Sequence, residues 1–454
     1  MTAKNNDMYW LRSGIITVLQ NITSVIFGFG SFYLLVRLLN QHDFGLWTLF
    51  MSVTTVLEIV RSGLVQSTLI KFLAGASRGD SAQIISSSLM ITGILTISCI
   101  IINLSFASYL AYILKSPELE SLFYVFNITF ILSGALIILN SIEQANLNFT
   151  GTFASSFLRN GGFFVYIVYC FIFKVEVELI NLLIVQTITV LTCTIVSYYY
   201  ARKHLIISYK VYPQLIKQQI NYGKYTFGTS ISSILSVTID QIMLGAIISP
   251  AASGAFNVAV RITNLIDIPT NAVAAIVFPQ SAKRIKTEGK EAIKYLYERS
   301  VGILMAMLVP GVIFLFIFSE MIIDFLAGDK YNETIPILQV TLVYCLLKPY
   351  GRQFGTILDS IGKTRLTFFI VLIVASINIS LNYVMIKEVG ILGAAYASLI
   401  AEIIGFLIAK RVLEKELNIN IFNTLIYAVK FYPELYYKYI KPKLNSQSVQ
   451  ERFK

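Results

Sequence analysis

The stretch IISSSLMITGILTISCIIINLSFASYLAY, residues 84–112, carries no charged side chain, and it decides the class of this protein. About 20 apolar residues at helical rise cross the hydrocarbon core of a bilayer, so this stretch is long enough to span it. Stretches of the same kind recur at residues 180–199 and 301–318. The sequence therefore predicts an integral membrane protein whose spanning segments are helices.

The composition indicates many spans of this type. Of 454 residues, 56% are hydrophobic and 13% are charged, whereas about 25% are charged in an average soluble protein. Mean hydropathy is +0.70. We predict an all-α fold with about twelve spans, at residues 13–39, 46–72, 84–112, 121–146, 155–173, 180–200, 223–248, 254–279, 300–326, 334–360, 365–386 and 389–411.

The basic residues lie mainly on alternate loops of this topology. They cluster near the N-terminus, in residues 202–224 and 283–299, and from residue 410 onward. The opposite loops carry only Lys115, Lys174, Lys330 and Lys387. By the positive-inside rule, both termini are expected in the cytoplasm. The net charge of +11 then reflects membrane topology, and no nucleic-acid partner is expected.

One long polar connection separates two sets of six predicted spans. We therefore divide the chain into an N-terminal six-helix bundle at residues 1–200, a cytoplasmic linker helix at 201–222, a C-terminal six-helix bundle at 223–411 and a cytoplasmic interfacial tail at 412–454. Apolar residues at helical spacing predict that the linker lies in the membrane interface.

The two predicted bundles resemble copies of one another. With one common shift along the chain, residues of the first half meet similar residues of the second. The matched pairs are Gly14 and Gly223, Ser24 and Ser233, Gly45 and Gly254, Trp47 and Phe256, and Glu58 and Asp267. Each half has an even number of spans, so the repeats are parallel and pseudo-symmetric about the membrane normal. This arrangement is typical of transporters.

No residue pattern predicts a metal site. The four cysteines lie within predicted spans without paired spacing, and the two histidines, His42 and His204, lie at opposite membrane faces. Zinc sites need several such ligands at characteristic spacings. We therefore expect no metal centre and assign the cysteines to packing.

Several short segments resemble a known family. RLLNQHDFGLWTLF at residues 37–50 resembles the R-L-L-G-P-x-D-F-G-x-Y segment of bacterial polysaccharide flippases, with Asn40-Gln41 in place of Gly-Pro. EIVRSGLVQST at 58–68 continues it. Three later segments resemble the second half of that family: DQIMLG at 240–245, GAFNVA at 254–259 and ILDSIGKTR at 357–365. The chain is thus similar to Wzx-type O-antigen and capsule flippases of the multidrug/oligosaccharidyl-lipid/polysaccharide exporter superfamily.

The resemblance implies a MATE-like, V-shaped fold of two bundles that works by alternating access. It also implies a substrate, a polyprenyl-diphosphate-linked oligosaccharide that moves from the cytoplasmic to the outer leaflet of a bacterial plasma (inner) membrane. Coupling to a proton or sodium gradient, with no other cofactor, is a further implication. Membrane lipids and a polysaccharide polymerase machinery are the other expected partners.

Five cationic residues lie within predicted spans and away from their cytoplasmic ends: Arg37, Arg61, Arg261, Lys348 and Arg352. Each costs about 2.5–3.5 kcal/mol near the bilayer centre, so they are not expected to face lipid. Because such groups bind phosphate oxygens well, we predict that all five bind the substrate diphosphate. The structural alternatives are that Glu58 neutralises Arg61 and that Arg37 extends to the interface.

Three acidic residues within spans are candidates for ion coupling. Asp240 and Asp267 fall in the seventh and eighth helices, which the resemblance places beside the cleft. Glu58 is the repeat equivalent of Asp267. The alternative for each carboxylate is a structural ion pair or a hydrogen bond to the backbone. Glu402, in the last span, receives no role from the sequence.

Five prolines within or beside the predicted spans lie in the second half: Pro269, Pro279, Pro310, Pro336 and Pro349. Proline removes a backbone hydrogen bond and kinks a helix. We predict that the second bundle bends near Pro269 and Pro349 during transport.

Two other functions are open from the sequence. A multidrug antiporter of the same superfamily usually carries cations and would be expected to have an acid-lined cleft. A polysaccharide polymerase, ligase or glycosyltransferase needs sizeable outer loops with catalytic groups, but the outer loops are short, and residues 249–253 contain no ionisable side chain. The sequence therefore favours a flippase and does not predict an enzyme.

Overall fold

The computed structural model describes residues 3–74 and 76–437. Within these residues the chain forms sixteen α-helices and two short 3-10 helices, so the all-α prediction is confirmed. The chain divides into two compact units, residues 1–255 and 256–454.

The first unit contains α1 (Ala3–Leu38), α2 (Gln41–Leu73), α3 (Arg78–Ile113), α4 (Glu118–Ala145), α5 (Thr150–Phe173), α6 (Leu179–Ala201), α7 (Pro213–Ile247) and the start of α8 (Pro250–Thr263). The second contains the end of α8, α9 (Asp267–Thr287), α10 (Lys290–Ile317), α11 (Ser319–Ala327), α12 (Thr334–Cys345), α13 (Lys348–Ser360), α14 (Thr364–Val389), α15 (Ile391–Leu417) and α16 (Ile421–Leu435).

Ten helical segments of the described chain are long and apolar enough to cross a membrane, which confirms a multi-pass membrane protein. Two of the predicted spans are not among these ten segments. Residues 223–247 lie within α7, of which Thr238–Ile247 is the described apolar part. Residues 334–360 form α12 and α13, with a break before Pro349. Pro349 has no N–H to bond the carbonyl of Cys345, four residues earlier, and its ring would clash with that carbonyl, so the helix is interrupted and Pro349 lies in the first turn of α13. The count of twelve stays a prediction.

In the first unit, α2 packs against α3, α4 and α7. At the start of α2, a side chain on Gly45 would overlap the carbonyl oxygen of Pro250. A Cβ on Gly254 would lie 3.0 Å from the Cα of Gly45. The internal repeat pairs these two glycines, and here they meet at a contact that leaves no room for side chains.

In the second unit, two membrane helices are interrupted. A 3-10 helix, Asn264–Ile266, separates α8 from α9, and residues 346–347 separate α12 from α13. Helix α13 packs against α9 and α15 through a buried apolar cluster that includes Tyr350, Phe354 and Leu413. The interruptions place the first residues of α9 and α13 within one packed group of helices.

Helix α16 follows the last predicted span and packs against α10. The buried Glu298 of α10 accepts hydrogen bonds from the backbone N–H of Asn420, at 2.8 Å, and from Nδ2 of Asn423, at 2.9 Å. Part of the predicted tail is therefore an ordered helix. The remainder of that tail, from residue 438, lies outside the described residues.

Candidate substrate and ion sites

The two helix interruptions of the second unit bring Asp267 and Lys348 together. Asp267 is the first residue of α9, and Lys348 is the first residue of α13. The Nζ atom of Lys348 donates a hydrogen bond to Oδ2 of Asp267 at 3.0 Å. Their side chains are 22% and 35% exposed, so the pair is partly open to the surroundings. Discontinuous helices commonly form the substrate and ion sites of transporters, and this pair lies at two such discontinuities.

Glu402 of α15 is a further member of this group. It is partly exposed and interacts electrostatically with both Lys348 and Asp267. Cys345 and Tyr344, at the end of α12, lie beside the same lysine, with 5.9 Å between Nζ and the centre of the tyrosine ring. We call Asp267, Lys348 and Glu402 the carboxylate–lysine cluster. No local pattern indicated that Glu402 belongs with them, because it lies far from both along the chain.

Arg261 is exposed although the helix around it is buried. The residues of α8 on both sides of Arg261, 252–260 and 262–263, are all buried. Arg261 is the exposed residue in this stretch. Asn264 and Asn271, farther along the chain, are also exposed, as are Leu265 and Ile268 between them. Within the described residues, the guanidinium group forms no hydrogen bond or ion pair. An accessible arginine on a membrane helix is expected to line a hydrated space, because exposure of its charge to lipid is costly.

Arg352 lies one turn after Lys348, on the same face of α13. The residue is exposed, whereas Gln353 and Phe354 beside it are buried. Its guanidinium group is within electrostatic range of Asp359, but it forms no ion pair in the part of the chain that the structure describes. Lys348 and Arg352 thus give α13 a short basic face.

Arg61 is buried in the first unit, with 1% of its surface exposed. One NH group of the guanidinium donates a hydrogen bond to the carbonyl oxygen of Phe130, and the other donates to Oγ of Ser133 at 2.8 Å. The guanidinium carbon lies 4.0 Å from the centre of the Phe130 ring. Glu58 interacts with it electrostatically. In this conformation Arg61 fastens α2 to α4, and its contact with substrate stays a prediction.

The remaining candidate residues occupy separate places. Arg37, at the end of α1, is exposed and lies over the Tyr33 ring at 4.6 Å, where a cation is favoured by the helix dipole. Asp240 of α7 is 4% exposed. Its neighbour Gln241 accepts a hydrogen bond from Oγ of Ser52 on α2 at 2.8 Å. Of the eight candidate residues, the structure joins Asp267 to Lys348 by an ion pair, and Glu58 is within electrostatic range of Arg61.

The described part of the chain shows no grouped metal ligands. No set of three or more His, Cys, Asp or Glu side chains is arranged to hold a metal ion within the described residues. All four cysteines are buried and unpaired. These side chains belong to the packed interior of the helices.

Residues 34–336 match the family described as "Polysaccharide biosynthesis protein", which covers more than half of the chain. An uncharacterised membrane protein of Methanocaldococcus jannaschii is 25% identical over 78% of this chain and 74% of its own length. The "Probable low-salt glycan biosynthesis flippase Agl15" of Haloferax volcanii is 24% identical over 39% of this chain. "Lipopolysaccharide biosynthesis protein WzxC" of Escherichia coli is 21% identical over 51% of this chain. These last two matches span only 38% and 42% of the relatives' own lengths.

Two solved structures share the fold. "Lipid II flippase MurJ, inward closed conformation" superposes with a TM-score of 0.73 at 17% identity and covers 95% of this chain and 93% of its own. The inward-facing conformation of "a multidrug resistance MATE family transporter of the MOP superfamily" gives a TM-score of 0.73 at 14% identity, over 86% of this chain and 95% of its own. The MATE-like fold predicted from the sequence is confirmed.

Proposed function

This chain belongs to the polysaccharide biosynthesis protein family, and we propose that it is a flippase for a polyprenyl-diphosphate-linked oligosaccharide. The substrate would move from the cytoplasmic to the outer leaflet of the plasma membrane. A relative named as a glycan flippase and another named for lipopolysaccharide biosynthesis support this assignment. So does the fold shared with a lipid II flippase. On these grounds the chain is a transporter and not an enzyme.

The observation that carries the proposal is the state of Arg261 and Arg352. Both are exposed within a unit built of membrane helices, and neither is held by a carboxylate within the described residues. An exposed guanidinium group within the membrane is costly, so two of them are expected to bind an anion. A diphosphate offers oxygens that match their paired N–H donors. Lys348 adds a third cation on the same face of α13 as Arg352.

The proposal extends to how transport is organised. The two halves would expose the substrate site alternately to the two membrane faces, with both chain termini in the cytoplasm. Asp240, Asp267 and Glu58 would serve proton or sodium coupling. The oligosaccharide would then pass to a polysaccharide polymerase machinery at the outer face.

The experiment is complementation of a strain in which the gene is deleted. We expect that strain to accumulate undecaprenyl-diphosphate-linked repeat units and the native gene to clear them. Arg261→Ala and Arg352→Ala should each lower flipping about tenfold or more, because each removes charge-assisted hydrogen bonds worth about 1.5–3 kcal/mol. The readout is the amount of lipid-linked repeat unit extracted from the membrane.

Arg365→Ala is the matched control, because Arg365 is an exposed arginine of the same unit near the start of α14 and outside the proposed site. It should clear the intermediate as the native protein does. Full clearance by both Arg261→Ala and Arg352→Ala would contradict the cationic site and leave the family assignment intact.

A further inference from the structure

We infer that the oligosaccharide carries an acidic group of its own, a carboxylate or a phosphate ester, and that Arg159 in the first unit binds it. The inference rests on the proposed function, because it concerns the sugar part of that substrate. Arg159 is not among the five cationic residues that the sequence marked for the diphosphate. The structure alone gives it a place inside the unit.

Arg159 lies deeper in the membrane than the sequence indicated. The predicted fifth span begins at residue 155, whereas α5 begins at Thr150, five residues earlier. Arg159 therefore follows the first residue of α5 by nine positions, which is about 14 Å along the axis at helical rise. A charged side chain at such a depth is costly if it faces lipid.

One side of the helical surface around Arg159 is packed against α6. Ser155 and Gly162 lie four residues before it and three residues after it, so both are its neighbours on the helix. The carbonyl oxygen of Ser155 accepts a hydrogen bond from Sγ of Cys193 at 3.1 Å. A Cβ on Gly162 would lie 2.9 Å from Cγ2 of Thr189. The Cys193 thiol is also within electrostatic range of the guanidinium group.

The other side of the same surface is packed against α1 and α2. Ser156 and Phe163 lie three residues before Arg159 and four residues after it. Oγ of Ser156 accepts a hydrogen bond from Nε2 of Gln20 on α1 at 3.0 Å. The Phe163 ring stacks on the Trp47 ring of α2, with 6.1 Å between their centres. All four helical neighbours of Arg159 thus contact another helix, whereas Arg159 itself is exposed.

A different stripe of α5 is available to face lipid. Leu158, Val165 and Ile172, spaced seven residues apart, are apolar and are 40%, 65% and 65% exposed. Arg159 lies outside this stripe, on the surface that the neighbouring helices flank. Its exposure therefore indicates a hydrated space inside the first unit, in which the charge is solvated.

The guanidinium group of Arg159 forms no hydrogen bond or ion pair within the described residues. Carboxylates on two neighbouring helices are engaged elsewhere. Glu58 of α2 is within electrostatic range of Arg61, and Glu143 of α4 accepts a hydrogen bond from Nδ2 of Asn148 at 3.4 Å. Arg159 is therefore available to an anion that enters this space.

The diphosphate does not account for this further cation. A diphosphate that joins a lipid to a sugar has one ionisable oxygen on each phosphate, and the proposed site in the second unit already offers it Arg261, Lys348 and Arg352. Since the substrate has a single diphosphate, a guanidinium group in the first unit calls for a second anionic group. Carboxylates and phosphate esters both match its paired N–H donors.

The groups beside Arg159 suit a sugar. Nδ2 of Asn160 donates to Oγ of Ser24 at 3.1 Å, which leaves the amide oxygen of Asn160 as an acceptor. Ser156 accepts from Gln20, which leaves its hydroxyl hydrogen as a donor. An acceptor and a donor for sugar hydroxyl groups thus lie next to the cation that binds the acidic group.

The composition of the glycan is the first test. Mild acid releases the glycan from the lipid-linked repeat unit that the deletion strain accumulates, and mass spectrometry gives its composition. We expect a carboxylated sugar or a phosphate ester, which differ in mass. A neutral glycan would overturn the inference and leave the flippase proposal standing. A deletion strain that accumulates no lipid-linked repeat unit would contradict both.

The second test is clearance of that intermediate by variants. Arg159→Ala should lower clearance about tenfold or more, because it removes charge-assisted hydrogen bonds. Arg159→Lys keeps the charge without the paired donors and should give an intermediate rate. Arg78→Ala, which changes an exposed arginine at the start of α3, is the matched control and should behave as native. Size-exclusion profiles establish that each variant is folded, and native clearance by Arg159→Ala would refute the inference.

Binding to the purified full-length protein in nanodiscs separates the sugar from the diphosphate. Farnesyl diphosphate, which has no sugar, should bind Arg159→Ala as it binds the native protein and should bind Arg352→Ala about tenfold more weakly. The extracted repeat unit should bind Arg159→Ala about tenfold more weakly than the native protein. If Arg159→Ala lost affinity for farnesyl diphosphate as Arg352→Ala does, Arg159 would belong to the diphosphate site and the inference would be wrong.

Discussion

The Arg61 side chain has its hydrogen bonds inside the protein, to the Phe130 carbonyl and to Ser133. Arg61→Ala removes both bonds and leaves a cavity next to Gly134. We expect it to cost about 1–3 kcal/mol and to lower the melting temperature of the detergent-solubilised protein. Arg261→Ala should leave the melting temperature nearly unchanged, because no hydrogen bond is lost. Fluorescence-detected size exclusion after heating measures both. An Arg61→Ala protein that melts like the native one but does not flip would instead place Arg61 at the substrate.

Local sequence patterns predict only some of the contacts that such residues make. The spacing of Glu58 and Arg61 predicts their electrostatic contact, because residues three apart share a helical face. The hydrogen bonds of Arg61 to α4 had no such signal, since they depend on how two helices pack. The same holds for Lys348 and Asp267, each of which the sequence marked as costly in lipid without indicating that they meet.

Helix α16 is held to α10 where the two helices cross at Gly302. A Cβ on this glycine would lie 2.5 Å from the Cβ of Tyr427 and 2.8 Å from the carbonyl oxygen of Thr424. Gly302→Ala should therefore push α16 away, at a cost of about 1–3 kcal/mol. Limited proteolysis should then cleave the connection between α15 and α16 faster than in the native protein.

The control is Gly311→Ala in the same helix, where nothing lies within 4 Å of the new Cβ. It should leave cleavage unchanged and gain helix propensity. Equal cleavage of both variants would mean that α16 does not depend on this crossing.

The interrupted helices were only partly foreseeable. Pro269 and Pro349 predict distortions, and the interruptions at residues 264–266 and 346–347 lie within a few residues of them. The sequence did not indicate that the prolines would leave Asp267 and Lys348 at the first positions of new helices. Whether these places bend during transport stays a prediction. Release of Lys348 from Asp267 would remove the ion pair that joins α9 to α13.

At the scale of the whole molecule, hydropathy and the internal repeat predicted most of what the fold shows. The all-α membrane fold follows from the length of the apolar stretches, because the bilayer sets a minimum. The repeat paired Gly45 with Gly254, and the structure brings these two glycines into contact. The count of twelve spans stays a prediction, because α12, with 12 residues, and α13, with 13, are each too short to cross the bilayer alone.

The orientation of the chain in the membrane gives a last prediction, based on the basic residues between α6 and α7. Tyr209 in that connection is fully exposed, and Glu176, between α5 and α6, is also exposed. The four native cysteines are buried and should react little. In intact cells, a membrane-impermeant maleimide should therefore label Glu176→Cys and should label Tyr209→Cys only after permeabilisation. The opposite result would place both termini outside and contradict the positive-inside assignment. Labelling of both in intact cells would mean that α6, which separates them, does not cross the bilayer.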